Sequence, residues 1–216
     1  MSELTKQDIL DAGLEDWRQL ATRLHARFLT GDFTTGLRLV TAVTEAAEAA
    51  NHHPDVTLTY PWVDLSLISH DVGALTSRDL ELAREISRRA SDLGVHADPS
   101  VLSLVEIGLD TADVASLGPV WSALLSGSTD GVDGNDVVDP HQRAPLIWFQ
   151  DTEPHETPRQ RFHLDIWVPH DQLEQRIAAA VEAGAELVDD SQGPSFVVLA
   201  DPEGNKACLC TILERD

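Results

Sequence analysis

Basic residues are scarce in this chain of 216 residues. Its 15 lysines and arginines face 37 acidic residues, so the formal net charge is −22. The excess grows along the chain, from a net of −7 over residues 1–98 (9 basic, 16 acidic) to −15 over residues 99–216 (6 basic, 21 acidic). Such a surface repels phosphate backbones, and we therefore expect no nucleic-acid partner.

Cysteines and long apolar runs are also few. The two cysteines, Cys208 and Cys210, lie two positions apart on a predicted strand and point the same way, which is poor geometry for a mutual disulfide. Reduced thiols are typical of the cytoplasm. The longest apolar runs are too short to cross a bilayer, and the acidic N-terminus is unlike a signal peptide. We therefore expect a cytoplasmic protein with no membrane partner.

Hydrophobic residues make up 42% of the chain, enough for a packed core, and its length suits two domains. In the first half, apolar periodicity predicts a strand region, a helix ending near Asn51, two strands and a second helix. Thr76 caps that helix, Asp79 occupies its third position, and Gly94 ends it. We expect an α+β domain over residues 1–95, with an antiparallel sheet and two helices on one of its faces.

The pattern changes after a predicted linker at residues 96–100. In the remaining residues, 101–216, a strand followed by a helix occurs around Glu106 and again around His163. This weak internal repeat predicts one domain built from two similar modules.

Polar residues concentrate around the sequence NHHPD at positions 51–55. Glu48 and His52 are four apart and share a helix face, and Pro54 prevents the helix from continuing. A hairpin of the predicted length would return His70 to the end of this helix. We expect the polar groups to meet at one rim of the sheet: Glu48, His52, His53, His70 and Asp79.

Such a group is suited to proton transfer, because imidazole titrates near neutrality and positioned acid–base groups supply about 10²–10⁴ in rate. Two alternatives remain. Three imidazoles can bind zinc, although the side chains of adjacent histidines diverge. The residues can also be purely structural, with Asp79 serving a capping box and the HHP sequence a helix stop.

The sequence EAANHHPDVTLTYPWVDLSLISHDVGALTSRD, residues 48–79, closely resembles the signature of the pterin-4a-carbinolamine dehydratases. The resemblance extends over about residues 15–93 and agrees with the predicted order of elements. Every anchoring position matches: Glu48, His52, His53, Pro54, Tyr60, His70 and Asp79.

The resemblance implies removal of water from a 4a-hydroxytetrahydropterin, which gives a quinonoid dihydropterin without a metal or cofactor. Carried over, His52 and His70 are the acid–base candidates, and Asp79 orients a histidine. His53 is carried over as both catalytic and substrate-binding, while Glu48 and Tyr60 are assigned to substrate binding. Family members commonly assemble, so a homodimer or homotetramer is expected.

The second half resembles the glyoxalase-like branch of the vicinal oxygen chelate superfamily through FHLDIWV and VLADPEGNKACL. This resemblance implies paired βαβββ modules, and many members hold a divalent metal. The corresponding positions here are Glu106, Gln150, His163 and Cys208. Gln150 is a weak ligand and Cys208 suits a softer ion, so we expect a metal-free pocket for a small ligand. His163 and Trp167 share a strand face and either line this pocket or serve ordinary sheet packing.

The leading hypothesis is a carbinolamine dehydratase fused to a glyoxalase-like domain. One alternative is a pterin-binding or assembly protein without catalysis. Another is a metal-dependent lyase, isomerase or dioxygenase centred on the second domain.

Overall fold

The computed structural model describes residues 2–126, 129–140, 144–153, 162–182, 185–200 and 206–215. The chain divides into two compact units. Unit 1 comprises Met1–Ser103, Pro169–Gln172 and Ile212–Asp216, and unit 2 comprises Leu104–Val168 and Leu173–Thr211. In the described residues, no helix combines the length and apolar character needed to cross a bilayer.

Unit 1 is an antiparallel sheet with two long helices, which confirms the predicted α+β class. Its elements in chain order are α1 (Lys6–Leu10), β1 (Arg18–Leu20), β2 (Arg23–Leu29), α2 (Phe33–Ala50), β3 (Asp55–Leu58), β4 (Trp62–Leu67), α3 (Ser77–Asp92) and β5 (His96–Ala97). The strand order is β1-β2-β4-β3, and β5 also pairs with β2. All these pairs are antiparallel.

One face of this sheet forms the core of unit 1. Alternate residues of β2, Leu24, Ala26 and Phe28, are buried, whereas the residues between them are only partly buried. Their neighbours on β4 and the inward residues of the two helices complete the same cluster: Val63, Leu65, Leu67, Leu39, Val43, Ala46, Leu82, Ala83 and Ile86. Buried residues therefore recur at every second position on the strands and at every third or fourth position on the helices, and the two sets pack against each other.

The predicted linker at residues 96–100 is wrong, because part of this segment belongs to the sheet of unit 1. His96 and Ala97 pair with Leu29 and Phe28, and the Asp98 N–H donates to the Arg27 carbonyl at 2.8 Å. A short 3-10 turn, Pro99–Val101, follows. The backbone of β2 would otherwise be unpaired there, and pairing with β5 satisfies it.

The described residues of unit 2 form an eight-stranded sheet and two helices. Its elements are β6 (Leu104–Thr111), α4 (Val114–Ser126), β7 (Val132–Asp133), β8 (Asp136–Val137), β9 (Ile147–Asp151), β10 (Phe162–Trp167), α5 (Leu173–Glu182), β11 (Glu186–Asp189), β12 (Phe196–Ala200) and β13 (Lys206–Cys210). The strand order is β11-β12-β13-β10-β6-β9-β8-β7.

The sheet order of unit 2 confirms paired βαβββ modules. In each module the first strand is parallel to the last, β6 to β9 and β10 to β13. The two first strands, β6 and β10, pair antiparallel at the centre. Residues 201–205, within the motif VLADPEGNKACL, lie outside the described residues.

The two faces of this sheet differ in character. Apolar residues such as Phe149 and Leu209 pack towards α4 and α5. The opposite face, which we call the polar face, carries His163, Asp165 and Trp167 of β10. Asp165 and Trp167 are each 6% exposed. The apolar residues at the start of β10 are the exposed ones, so hydrophobicity alone does not identify the buried face of this strand.

Candidate active site

A fully buried carboxylate, Asp79, is the centre of the predicted site in unit 1. Its Oδ1 lies 2.7 Å from Nε2 of His52. Its Oδ2 accepts from the Thr76 backbone N–H and from the Ser69 hydroxyl, each at 2.7 Å. Three donors therefore converge on one buried acceptor group, which is how a charged side chain is kept stable without water.

These bonds determine which nitrogen of His52 carries the proton in the neutral ring. An ionised carboxylate only accepts hydrogen bonds, so Nε2 of His52 donates to Asp79. The other nitrogen, Nδ1, keeps its lone pair, and no residue in the described part of the chain bonds it. The result is an oriented imidazole with one atom left for proton exchange.

Local sequence explains how both partners reach this place. Helix α2 ends at Asn51 in the left-handed conformation, with φ of 47°, and the chain turns directly into His52. Thr76 caps α3 and forms a capping box with Asp79. The predicted capping box is therefore confirmed, and the same carboxylate also holds the imidazole of His52.

His70 lies in the turn between β4 and α3, and it is exposed. The residues on either side of it are tied to the first turn of α3, Ser69 through Asp79 and Asp71 through an ion pair with Arg78. The hydrogen bond from Arg78 lowers the pKa of the Asp71 carboxyl. His70 is thus held one residue away from the groups that surround His52.

The remaining predicted residues lie on the surface. Nε2 of His53 is 3.2 Å from Oε1 of Glu48, and their side chains are 54% and 71% exposed. Tyr60, in the turn between β3 and β4, is also exposed. The structure therefore separates a buried pair, His52 with Asp79, from an exposed pair, His53 with Glu48.

Sequence reasoning missed Ser69, a fully buried hydroxyl that contacts both Asp79 and Thr76. Its only sequence signal is its place directly before His70.

A separate cavity of about 740 Å³ is lined by residues near the N-terminus, among them Leu4 and Ile9, and by Gly73–Leu75. None of the predicted histidines is among its described lining residues, so this cavity is not the predicted site.

In unit 2, the four positions that the glyoxalase resemblance implies lie on four strands, β6, β9, β10 and β13. Glu106 accepts a hydrogen bond from the indole N–H of Trp167 at 2.6 Å, and Gln150 is exposed on β9. His163 and Cys208 instead lie near Asp165, which the sequence analysis did not select. Within the described ranges, this is the one group of three or more potential ligands, so the histidines of unit 1 form no such group.

Comparison with known proteins gives a separate family match for each half of the chain. Residues 2–89 match the family described as pterin 4 alpha carbinolamine dehydratase. Two relatives provisionally named pterin-4-alpha-carbinolamine dehydratase come from Thermosynechococcus vestitus and Acidobacterium capsulatum. The first is 38% identical over 79 residues, 37% of this chain and 83% of the relative. The second is 38% identical over 88 residues, 40% of this chain and 96% of the relative. The chain belongs to the pterin-4a-carbinolamine dehydratase family.

The family relation covers the dehydratase domain, residues 2–89, and a second family match covers residues 106–210, described as a glyoxalase-like domain. The predicted fusion of these two domains is confirmed. A solved structure titled transcriptional coactivator/pterin dehydratase, from Brucella melitensis, shows 25% identity and a TM-score of 0.39. It covers 40% of this chain and 97% of that chain.

Proposed function

We propose that the dehydratase domain removes water from a pterin-4a-carbinolamine and releases the quinonoid dihydropterin. The observation that carries the proposal is the buried hydrogen bond between Asp79 and His52, which fixes the ring and its proton. Family membership supports the substrate class.

The reaction breaks the bond between C4a and the hydroxyl oxygen and forms a double bond between C4a and N5. The hydroxyl needs a proton in order to leave as water, and N5 must lose one. Substrate and product differ by one water molecule, so no electrons enter or leave and acid–base groups suffice. Positioned groups of this kind supply about 10²–10⁴ in rate.

His52 and His70 divide these two proton transfers. Nδ1 of His52 has a lone pair in the tautomer that Asp79 imposes, so it takes the proton from N5. His70, which is exposed and held beside the network by Ser69 and Asp71, protonates the departing hydroxyl. His53, with Glu48 and Tyr60 at the surface, binds the pterin ring.

Turnover of the carbinolamine by the His70→Ala variant tests the proposal. The expected loss is about 10²–10⁴ of the rate above the spontaneous dehydration. His96→Ala removes another exposed histidine of unit 1 and serves as the matched control, with no loss expected. An unchanged rate in His70→Ala contradicts the role of His70.

Wild-type protein that binds the pterin product without accelerating dehydration would contradict catalysis as a whole. That result would instead indicate a pterin-binding or assembly role. Circular dichroism of each variant separates loss of function from loss of fold.

A further inference from the structure

The cavity of about 740 Å³ in unit 1 takes no part in the proposed dehydration. Every described residue that lines it belongs to unit 1. Its volume falls within the range of about 300–1,000 Å³ that is typical of sites for small molecules. The chemistry of its lining therefore indicates what kind of molecule it can hold.

Hydrogen bonds hold two walls of this cavity in place. The Leu4 N–H donates to the Leu75 carbonyl at 2.9 Å and joins the N-terminal segment to the turn before α3. On the opposite side of the lining, Nε2 of Gln19 donates to the Ala21 carbonyl at 2.9 Å. Because these bonds exist before a ligand arrives, binding costs less ordering entropy.

The apolar part of the lining is aliphatic. Ile9 and Leu75 are buried, and Leu4 and Ala74 are partly buried. The described lining residues include no aromatic side chain on which a flat ring could stack. Such a lining favours a ligand with an aliphatic body, since removing aliphatic surface from water drives binding.

Two basic side chains border the cavity, although the net charge of the chain is −22. Lys6 is partly buried, and no carboxylate in the described part of the chain pairs with its ammonium group. Arg215 adds a second positive charge, and the acidic residue of the lining, Glu3, is exposed. An anionic group is therefore attracted here, whereas most of the surface repels it.

A buried acceptor lies in the same lining. Nε2 of Gln19 is used by the Ala21 carbonyl, and its Oε1 is buried without a hydrogen-bond partner among the described residues. Buried polar atoms of this kind are nearly always satisfied in folded proteins. A hydroxyl group on a ligand would supply the missing donor.

We propose that this cavity binds a small aliphatic hydroxy acid. Its carboxylate pairs with Lys6 and is attracted by Arg215, its chain packs on Leu4, Ile9 and Leu75, and its hydroxyl donates to Oε1 of Gln19. The site does not depend on the proposed dehydratase activity.

Calorimetric titration of the full chain with 8-hydroxyoctanoate tests the proposal. We expect one equivalent to bind, and we expect octanoate, which lacks the hydroxyl, to bind about two- to tenfold more weakly. The uncharged 1,8-octanediol should also bind more weakly than the acid. In Gln19→Met the difference between 8-hydroxyoctanoate and octanoate should disappear.

Lys6→Gln should weaken binding of 8-hydroxyoctanoate about three- to tenfold. Arg38→Gln removes one positive charge from an exposed position of α2 and is the matched control, with unchanged binding expected. Amide NMR locates the ligand, because the signals of Leu4 and Gln19 should shift on binding.

Four results would overturn the proposal. The wild-type chain shows no saturable binding of 8-hydroxyoctanoate up to about 5 mM, or Lys6→Gln binds it as tightly as wild type. The diol or octanoate binds wild type as tightly as 8-hydroxyoctanoate does. The amide signals of Leu4 and Gln19 stay in place while others shift. The comparison of ligands uses the wild-type chain, so it does not depend on the folding of any variant.

Discussion

Replacing Asp79 with asparagine tests whether its carboxylate fixes the proton of His52. Asp79→Asn retains the shape of the side chain and one oxygen acceptor for the Thr76 N–H and the Ser69 hydroxyl. The new amide NH₂ then faces Nε2 of His52, to which the carboxylate oxygen is now 2.7 Å away. Because an amide nitrogen donates, Nε2 must accept, and the ring proton moves to Nδ1.

Asp79→Asn should reduce turnover strongly and the stability of the fold moderately. With Nδ1 protonated, His52 can no longer accept the N5 proton there, and a wrong tautomer in a comparable carboxylate–histidine pair costs about 10⁴ in rate. We expect a loss of about 10²–10⁴. Hydrogen bonds to a charged group are worth about 1.5–3 kcal/mol and neutral ones about 0.5–1.5, so Asp79→Asn lowers the free energy of unfolding by about 1–3 kcal/mol.

Two further variants serve as comparisons for Asp79→Asn. Asp79→Ala leaves three buried donors without their acceptor, and we expect it to cost more than about 3 kcal/mol. Asp71→Asn changes an exposed carboxylate near the same turn and should leave the unfolding free energy close to that of the wild type.

Urea unfolding, nitrogen NMR of the His52 tautomer and carbinolamine turnover measure these effects. The role assigned to Asp79 is wrong if Asp79→Asn shifts the proton to Nδ1 but turns over within about threefold of wild type. It is also wrong if the proton stays on Nε2.

Three further predictions concern stability. His25 has a buried Nε2 without a partner among the described residues, and burial, with a contribution from Arg23, lowers its pKa to about 4. The stability contributed by its neutral ring is therefore complete above the unfolded-state pKa of about 6.5. Up to about 3 kcal/mol of unfolding free energy is lost as pH falls towards 4. The unfolding free energy of His25→Gln should therefore depend less on pH across that range. Leu39→Ala, at a fully buried position of α2, should lower the unfolding free energy by about 2–5 kcal/mol, and a shift below about 1 kcal/mol in urea would contradict the core assignment. Glu48→Gln removes only the charge from the exposed contact with His53 and should change stability by less than about 0.5 kcal/mol, so a fall in pterin affinity would report on the site itself.

The elements of unit 1 were predictable because local and periodic signals agree there. Thr76 and Asp79 mark the start of α3 in sequence as they do in space. The contact between Asp79 and His52 spans 27 residues, and chain-local rules do not reach that far. Family resemblance supplied the candidate residues, whereas Ser69 carried no signal of its own.

Two differences between the structure and what the sequence suggests have identifiable physical causes. The segment at 96–100 reads as a linker because it is short and polar, yet backbone pairing needs no particular side chains, and Ala97 pairs with Phe28. On β10, apolar and polar residues alternate, but Asp165 is buried while Leu164 is exposed. Where polar side chains pack on one face of a strand and helices cover the other face only in part, the apolar residues are not always the buried ones.

The pairing of β5 with β2 bears on any attempt to produce the dehydratase domain by itself. A version that stops at residue 95 would expose the main-chain groups of Phe28 and Leu29, next to the short strand β1. An open edge of this kind recruits strands from other molecules and promotes aggregation. Extending the piece to Ser103 keeps that edge covered and should reduce this aggregation.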